Sequence, residues 1–255
     1  MQKKPKTRRK NINQPYYEQL WSENMLRYLE NSAGSRWFDY LLLKIVKDVR
    51  KPKIKTVADI GCGLGLHTAL LARYFKNASV TGFDFSASGI ATAKKNHKLK
   101  NLKFSVEDIT KSKNNKKYDL ITAFDVLEHI EDWQSLVKNL IKVNNQYFIF
   151  ASPVGRMRPY EKHIGHFRNF KRGEIEAFME SQGYKTVKTF YAGFPFYSPI
   201  VRNLTNRFYK SYSLAPQVEM STFTKFTHKV WYFLFKYCSL KHKGDNFIGL
   251  FAKDL

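Results

Sequence analysis

Cysteine is nearly absent from this chain: Cys62 and Cys238 are the only two in 255 residues. Two thiols make no disulfide framework, so a reducing, cytoplasmic compartment is the expected home. Long apolar runs are missing too, and no stretch reaches the roughly 18 uninterrupted apolar residues of a membrane span. The first residues are basic with no apolar run behind them, so no secretory signal is expected. Acidic residues are scarce, 21 against 44 Lys and Arg, for a formal charge of +23. Such a field concerns partners and solubility rather than fold. Nucleic acid, an anionic membrane, an acidic substrate and a merely Lys-rich composition all stay open. Internal repeats are absent.

Residues 1–13 hold Lys3, Lys4, Lys6, Arg8, Arg9 and Lys10 with no acid, and read as a basic arm. In 14–53, Pro15 suits a first helical turn. Tyr17, Leu20, Trp21, Met25, Tyr28 and Leu29 then recur at helical spacing. Phe38, Leu41, Leu42, Ile45 and Val49 give a second helix beyond a break at 31–35. Through 54–192 the pattern alternates. Strands are expected over 56–60, 79–84, 102–106, 118–124, 146–152 and 184–191, with helices over 66–75, 87–97, 133–143 and 171–181. This predicts an α/β, doubly wound, Rossmann-like sheet, mostly parallel, with ligands at the carboxyl ends of its strands. Residues 193–245 form a basic, aromatic insertion, and 246–255 a last strand.

The strongest local signal is Val57, Ala58, Asp59, Ile60, Gly61, Cys62, Gly63, Leu64 and Gly65 in succession. A strand enters a glycine turn where backbone can approach a ligand. A dinucleotide fingerprint wants glycine where Leu66 stands. It also has no use for an acid just before the turn, where Asp59 stands. An acid there suits a cationic ligand, such as the ammonium of a methionine moiety, and repels a pyrophosphate. Asp84 closes the next strand, where an acid accepts from ribose hydroxyls. Asp108, after Glu107 and before Ile109, stands where a carboxylate can accept from an adenine amino group.

These motifs, with the run from Tyr118 to His129, resemble in order and spacing the class I S-adenosylmethionine-dependent methyltransferases. The resemblance covers about 56–191. It implies a seven-stranded sheet whose one antiparallel strand comes from 246–252. It also implies that Gly61, Gly63, Gly65, Asp84, Asp108 and Ile109 line S-adenosylmethionine. With Asp59, Phe85 and Phe124 these make the expected cofactor set.

Asp125, Glu128 and His129 stand at i, i+3 and i+4, and His163 and His166 follow the fifth strand. Glu128, His129, His163 and His166 are the candidate catalytic groups. Asp125, Glu128, His129 and His163 are the candidate ligands of Mg2+ or another divalent ion. A bare general base at His129 and simple capping or packing roles stay open beside it. The arrangement is similar to that of ubiquinone-biosynthesis O-methyltransferases, and to the metal set of small-RNA 2′-O-methyltransferases with Asp125 replacing a Glu.

In the insertion, Phe223, Phe226, Val230, Phe233, Leu234 and Tyr237 share one helical face, with Lys225, Lys229 and Lys236 on its flank. That face suits either an anionic bilayer or a roof over the acceptor. The expected function is O-methylation of a small, lipid-linked, quinone-like or glycan acceptor, with peripheral contact at the inner face of the membrane. An RNA 2′-O-methyltransferase and a non-catalytic S-adenosylmethionine-binding scaffold are the alternatives.

Overall fold

The computed structural model describes residues 13–108, 116–209 and 220–253, with backbone only for 13–15. The basic arm before residue 13 and Ile109 lie outside the described residues.

The helical cover is three helices, not two: α1 (Asn13–Leu20), α2 (Glu23–Asn31) and α3 (Ala33–Ile45). Serines make both breaks. Ser22 caps α2 by accepting from the Met25 amide, and Ser32 caps α3 by accepting from Ser35. Apolar spacing runs on through Ser22, so periodicity alone hides the first break.

The core alternates as expected: β1 (Thr56–Ile60), α4 (Leu66–Tyr74), β2 (Ser79–Asp84), α5 (Ala87–Asn96), β3 (Leu102–Val106) and β4 (Tyr118–Phe124). It continues with α6 (Trp133–Lys142), β5 (Asn144–Pro153), α7 (Pro159–His163), α8 (Glu174–Ser181) and β6 (Tyr184–Ala192). After the insertion helices α9 (Arg202–Phe208) and α10 (Thr222–Phe233) comes β7 (Asn246–Lys253). The sheet has seven strands in the order β3-β2-β1-β4-β5-β7-β6. Only β7 runs antiparallel to its neighbours.

Side chains of period two split the core by face. Val57, Leu120, Ile149 and Leu250 pack with α3 and α4. Ala58, Ile121, Phe148, Phe150 and Phe251 pack with Trp133, Leu136 and Val137 of α6 and Met179 of α8. At the outer edge, β6 shifts register between Thr186 and Lys188.

One carboxylate secures the amino ends of three strands. Asp119 accepts from the Lys55 and Thr56 backbone amides at 2.8 and 2.9 Å, the Thr56 hydroxyl at 3.0 Å and the Asn145 side-chain Nδ2 at 2.9 Å. Burial alone would raise its pKa, but the bonds from Asn145, Lys55 and Thr56 outweigh that and lower it. Asp119→Ala is therefore expected to lower the unfolding free energy by about 2 kcal/mol in urea melts near neutrality. The depressed pKa adds stability that is full above about pH 4 and is lost as pH falls through the folded-state value. The gap between variant and parent should narrow over that window.

Candidate active site

The turn from β1 to α4 is built backwards for most residues. Gly61, Gly63 and Gly65 have φ of 69°, 51° and 76°. A Cβ on Gly65 would stand 2.6 Å from the Phe104 ring, and one on Gly61 2.5 Å from Val126. Only glycine fits here. The turn is held from the side by Asp84, which accepts from the Gly63 amide at 2.7 Å and the Ser86 amide at 2.8 Å.

Asp59 is placed differently from the expectation. Its carboxylate accepts from Thr68 at 2.6 Å and from Thr122 at 2.7 Å, and it is not among the residues lining the cleft. Thr122 is its cross-strand partner in register. Asp59 therefore braces β1, β4 and α4 beneath the turn rather than lining the cleft.

A cleft of about 800 Å³ opens over the carboxyl ends of β1, β2 and β4. Gly61, Gly63, Asp84, Phe85, Asp108 and Phe124 line it, as expected; Gly65 lies just below. Seven carboxylates but one guanidinium line it: Asp84, Glu107, Asp108, Asp125, Glu128, Glu161 and Asp245 against Arg202. The basic chain thus encloses an acidic cleft. Arg202 is itself spoken for, with Glu161 on one nitrogen and Asp245 at 3.3 Å on the other.

The helical cover closes the cleft. Glu18 accepts from the Ala87 amide at 2.8 Å, the Ser88 amide at 3.1 Å and the Ser86 hydroxyl at 3.1 Å, clasping the start of α5. A carboxylate is favoured at such a helix start. This clasp lays Trp21 over Gly63, with Tyr17 stacked on Trp21 at 5.3 Å. The Tyr17 hydroxyl lies 3.2 Å from His129 Nε2.

Of the expected acceptor-side groups, Glu128, His129 and His166 come together, one ligand atom from each lying within 4.8 Å of the others. A turn at Gly165, φ 95°, and a bond from the Phe167 amide to the Glu128 carbonyl bring His166 against His129, ring to ring at 4.5 Å. His163 does not join them. It ends the single-turn helix α7 on the exposed side and lies against Tyr209 instead. Asp125 lines the cleft but is not part of the cluster. It is the one non-glycine residue with positive φ among those described, at 53°. The cluster is therefore corrected to Glu128, His129 and His166.

Burial first, then Asp125, pushes the Glu128 carboxyl well above the usual range. Its Oε2 accepts from Ser152 at 3.0 Å, while Oε1 is buried with no hydrogen bond among the described residues. Burial, then His166, holds His129 neutral, down to about 3, and burial lowers His166. One pair escaped the sequence reading altogether: His67 Nδ1 and Asp39 Oδ1 lie 2.9 Å apart at the cleft wall.

A methyltransferase-domain family model matches residues 52–192, more than half of the chain. The chain belongs to the class I S-adenosylmethionine-dependent methyltransferases. This methyltransferase is 37% identical over 112 residues to a ubiquinone biosynthesis O-methyltransferase of Coxiella burnetii, covering 42% of this chain and 47% of that one. It is 31% identical over 143 residues to a malonyl-[acyl-carrier protein] O-methyltransferase of Bacillus cytotoxicus, covering 56% and 49%. The chain spans about half the length of these curated relatives. In fold it is similar to the N-methyltransferase NodS of Bradyrhizobium japonicum, solved with S-adenosylhomocysteine, at TM-score 0.61, 15% identity and coverage of 95% and 99%. It is likewise similar to magnesium protoporphyrin IX methyltransferase of Synechocystis, at TM-score 0.56, 16% identity and coverage of 87% and 84%.

The residues fit this cofactor. A bare glycine floor, aromatic rings of Phe85 and Trp21, and carboxylates at Asp84 and Asp108 suit a nucleoside with hydroxyls and an amino group. Asp84→Ala should weaken S-adenosylhomocysteine binding by about tenfold or more in calorimetry and lower the melting temperature of the free protein, since the Gly63 and Ser86 amides lose their acceptor.

Proposed function

We propose that this methyltransferase methylates a hydroxyl oxygen on a small or lipid-linked acceptor of quinone-like or glycan type. The observation that carries the reading is the Glu128, His129 and His166 cluster at the wall of an acidic cleft. Both curated relatives above are named O-methyltransferases.

S-adenosylmethionine supplies an activated methyl group, so the chain's task is to align the acceptor, exclude water and manage one proton. Tyr17 and Trp21 cover the cleft against water. A neutral imidazole with its pKa near 3 is a poor base at neutral pH. Ligation asks for neutral imidazoles, which His129 and His166 supply, and for a carboxylate, which Glu128 would become by giving up its proton to solvent as the cation entered. Two nitrogens and one oxygen suit a first-row divalent ion better than all-oxygen Mg2+ sites do. An ion held there would lower the pKa of the acceptor hydroxyl. The RNA alternative ranks lower because seven carboxylates would face the phosphates. The scaffold alternative would use the cofactor floor but leaves the Glu128, His129 and His166 cluster without a role.

The test uses radiolabelled S-adenosylmethionine with catechol, quinol and sugar-hydroxyl acceptors, with Mn2+ binding followed in parallel by calorimetry. Glu128→Gln and His166→Ala should each cut transfer about a hundredfold. They should also abolish Mn2+ binding while leaving S-adenosylhomocysteine affinity within about twofold. Full transfer by both variants would sink the reading.

A lipid-linked acceptor goes with peripheral membrane contact, and α10 supports it. Its inner side packs on α3, where His228 Nδ1 accepts from the Ala33 amide at 2.9 Å. Its other side leaves Phe223, Phe226, Val230 and Phe233 exposed, with Tyr237 beyond in the following π-helical turn. The expected apolar face is thus turned outward and does not roof the cleft. Lys225 and Lys229 flank it, and 193–244 holds one acid, Glu219. Anionic lipid matches both stripe and lysines, whereas a second copy would bring like charge against like. The protein should float with vesicles containing about 30% phosphatidylglycerol and not with neutral ones. Phe226→Ser with Phe233→Ser should weaken this about tenfold or more. Vesicle binding indifferent to that change would remove the α10 assignment.

A further inference from the structure

His67 occupies an unfavourable place for a cation, the first turn of α4, where the helix dipole is positive. Its ring packs against Phe38, at 4.7 Å, and Phe124, at 5.7 Å, which also meet each other at 5.3 Å. Nδ1 is engaged by Asp39 of α3, so Nε2 is the nitrogen left for a ligand in the cleft that His67 lines. Charged groups face the ring from each element around it: Asp39 from α3, Asp59 from β1 and Asp125 after β4. Burial alone would lower its pKa. The bond and charge of Asp39, followed by Asp59 and Asp125, more than offset burial and leave it above the usual imidazole range.

The cofactor brings one group that an acidic cleft should repel, the carboxylate of its amino-acid moiety. A carboxylate in such surroundings needs a cationic donor. Arg202 is occupied by Glu161 and Asp245, and His129 and His166 are held neutral. His67 stands two residues beyond Gly65, next to the glycine turn. We propose that the Asp39–His67 pair holds the cofactor's carboxylate, with His67 donating from Nε2 and Asp39 fixing the ring. This rests on S-adenosylmethionine as the cofactor, but not on any acceptor or metal.

Two ligands separate the roles: S-adenosylhomocysteine carries the amino-acid moiety, and 5′-methylthioadenosine lacks it. In calorimetry, His67→Gln should weaken S-adenosylhomocysteine about tenfold or more and leave methylthioadenosine within about twofold. Parent affinity for S-adenosylhomocysteine should fall as pH rises through the His67 pKa, the variant should show no such fall, and Asp39→Asn should move the fall to lower pH. By NMR, S-adenosylhomocysteine but not methylthioadenosine should raise the His67 pKa further. Equal weakening of both ligands would assign a packing role, and no weakening of either with lost transfer would assign His67 to the acceptor. Either result overturns the proposal. If the parent binds neither ligand, the cofactor reading falls, and this proposal with it.

Discussion

Everything in the cleft depends on one chain reversal. Between β1 and α4 the backbone must leave a buried strand, turn left-handed three times and start a helix, all within five residues. Such a turn does not hold itself. Asp59 braces it from below through Thr68 and Thr122, Asp84 fixes it from the side, and Trp21 covers it from above. Two of these supports are acids whose burial raises their pKa, a cost accepted because each gains at least two hydrogen bonds.

Charge is segregated on a scale larger than any pair. The chain carries +23, yet the cleft wall holds seven carboxylates and one ion-paired arginine. The lysines serve the exterior, where α10 offers them beside an apolar stripe. The acids serve the interior, where hydroxyls, amino groups and cations find acceptors. Net charge alone therefore says little about what enters the site.

Much of the sheet and the cofactor floor could be read from sequence because their signals are local. A glycine turn after an apolar strand, then an acid at the next strand's end, are neighbours in the chain as well as in space. What sequence does not show depends on contacts between distant segments. The acid before the glycine turn reads as a ligand group, and only its cross-strand partner Thr122, far along the chain, reveals Asp59 as a brace. His163 and His166 look equivalent in sequence, and only the turn at Gly165 and the Phe167–Glu128 bond choose between them. His67, Asp39, Tyr17 and Glu18 belong to helices whose docking no periodicity reports.

The register shift in β6 has a consequence away from the cleft. A sheet edge with free amides and carbonyls is a template for another strand, and here the inner strands are strongly apolar. The shift leaves Val187 outside the ladder, and Lys185 and Lys188 stand on either side of it. A neighbouring molecule that tried to extend the sheet would meet an interrupted hydrogen-bond pattern and the charge of Lys185, while Lys188 is paired with Asp48. The same irregularity that breaks the ladder thus makes this edge a poor template for a further strand.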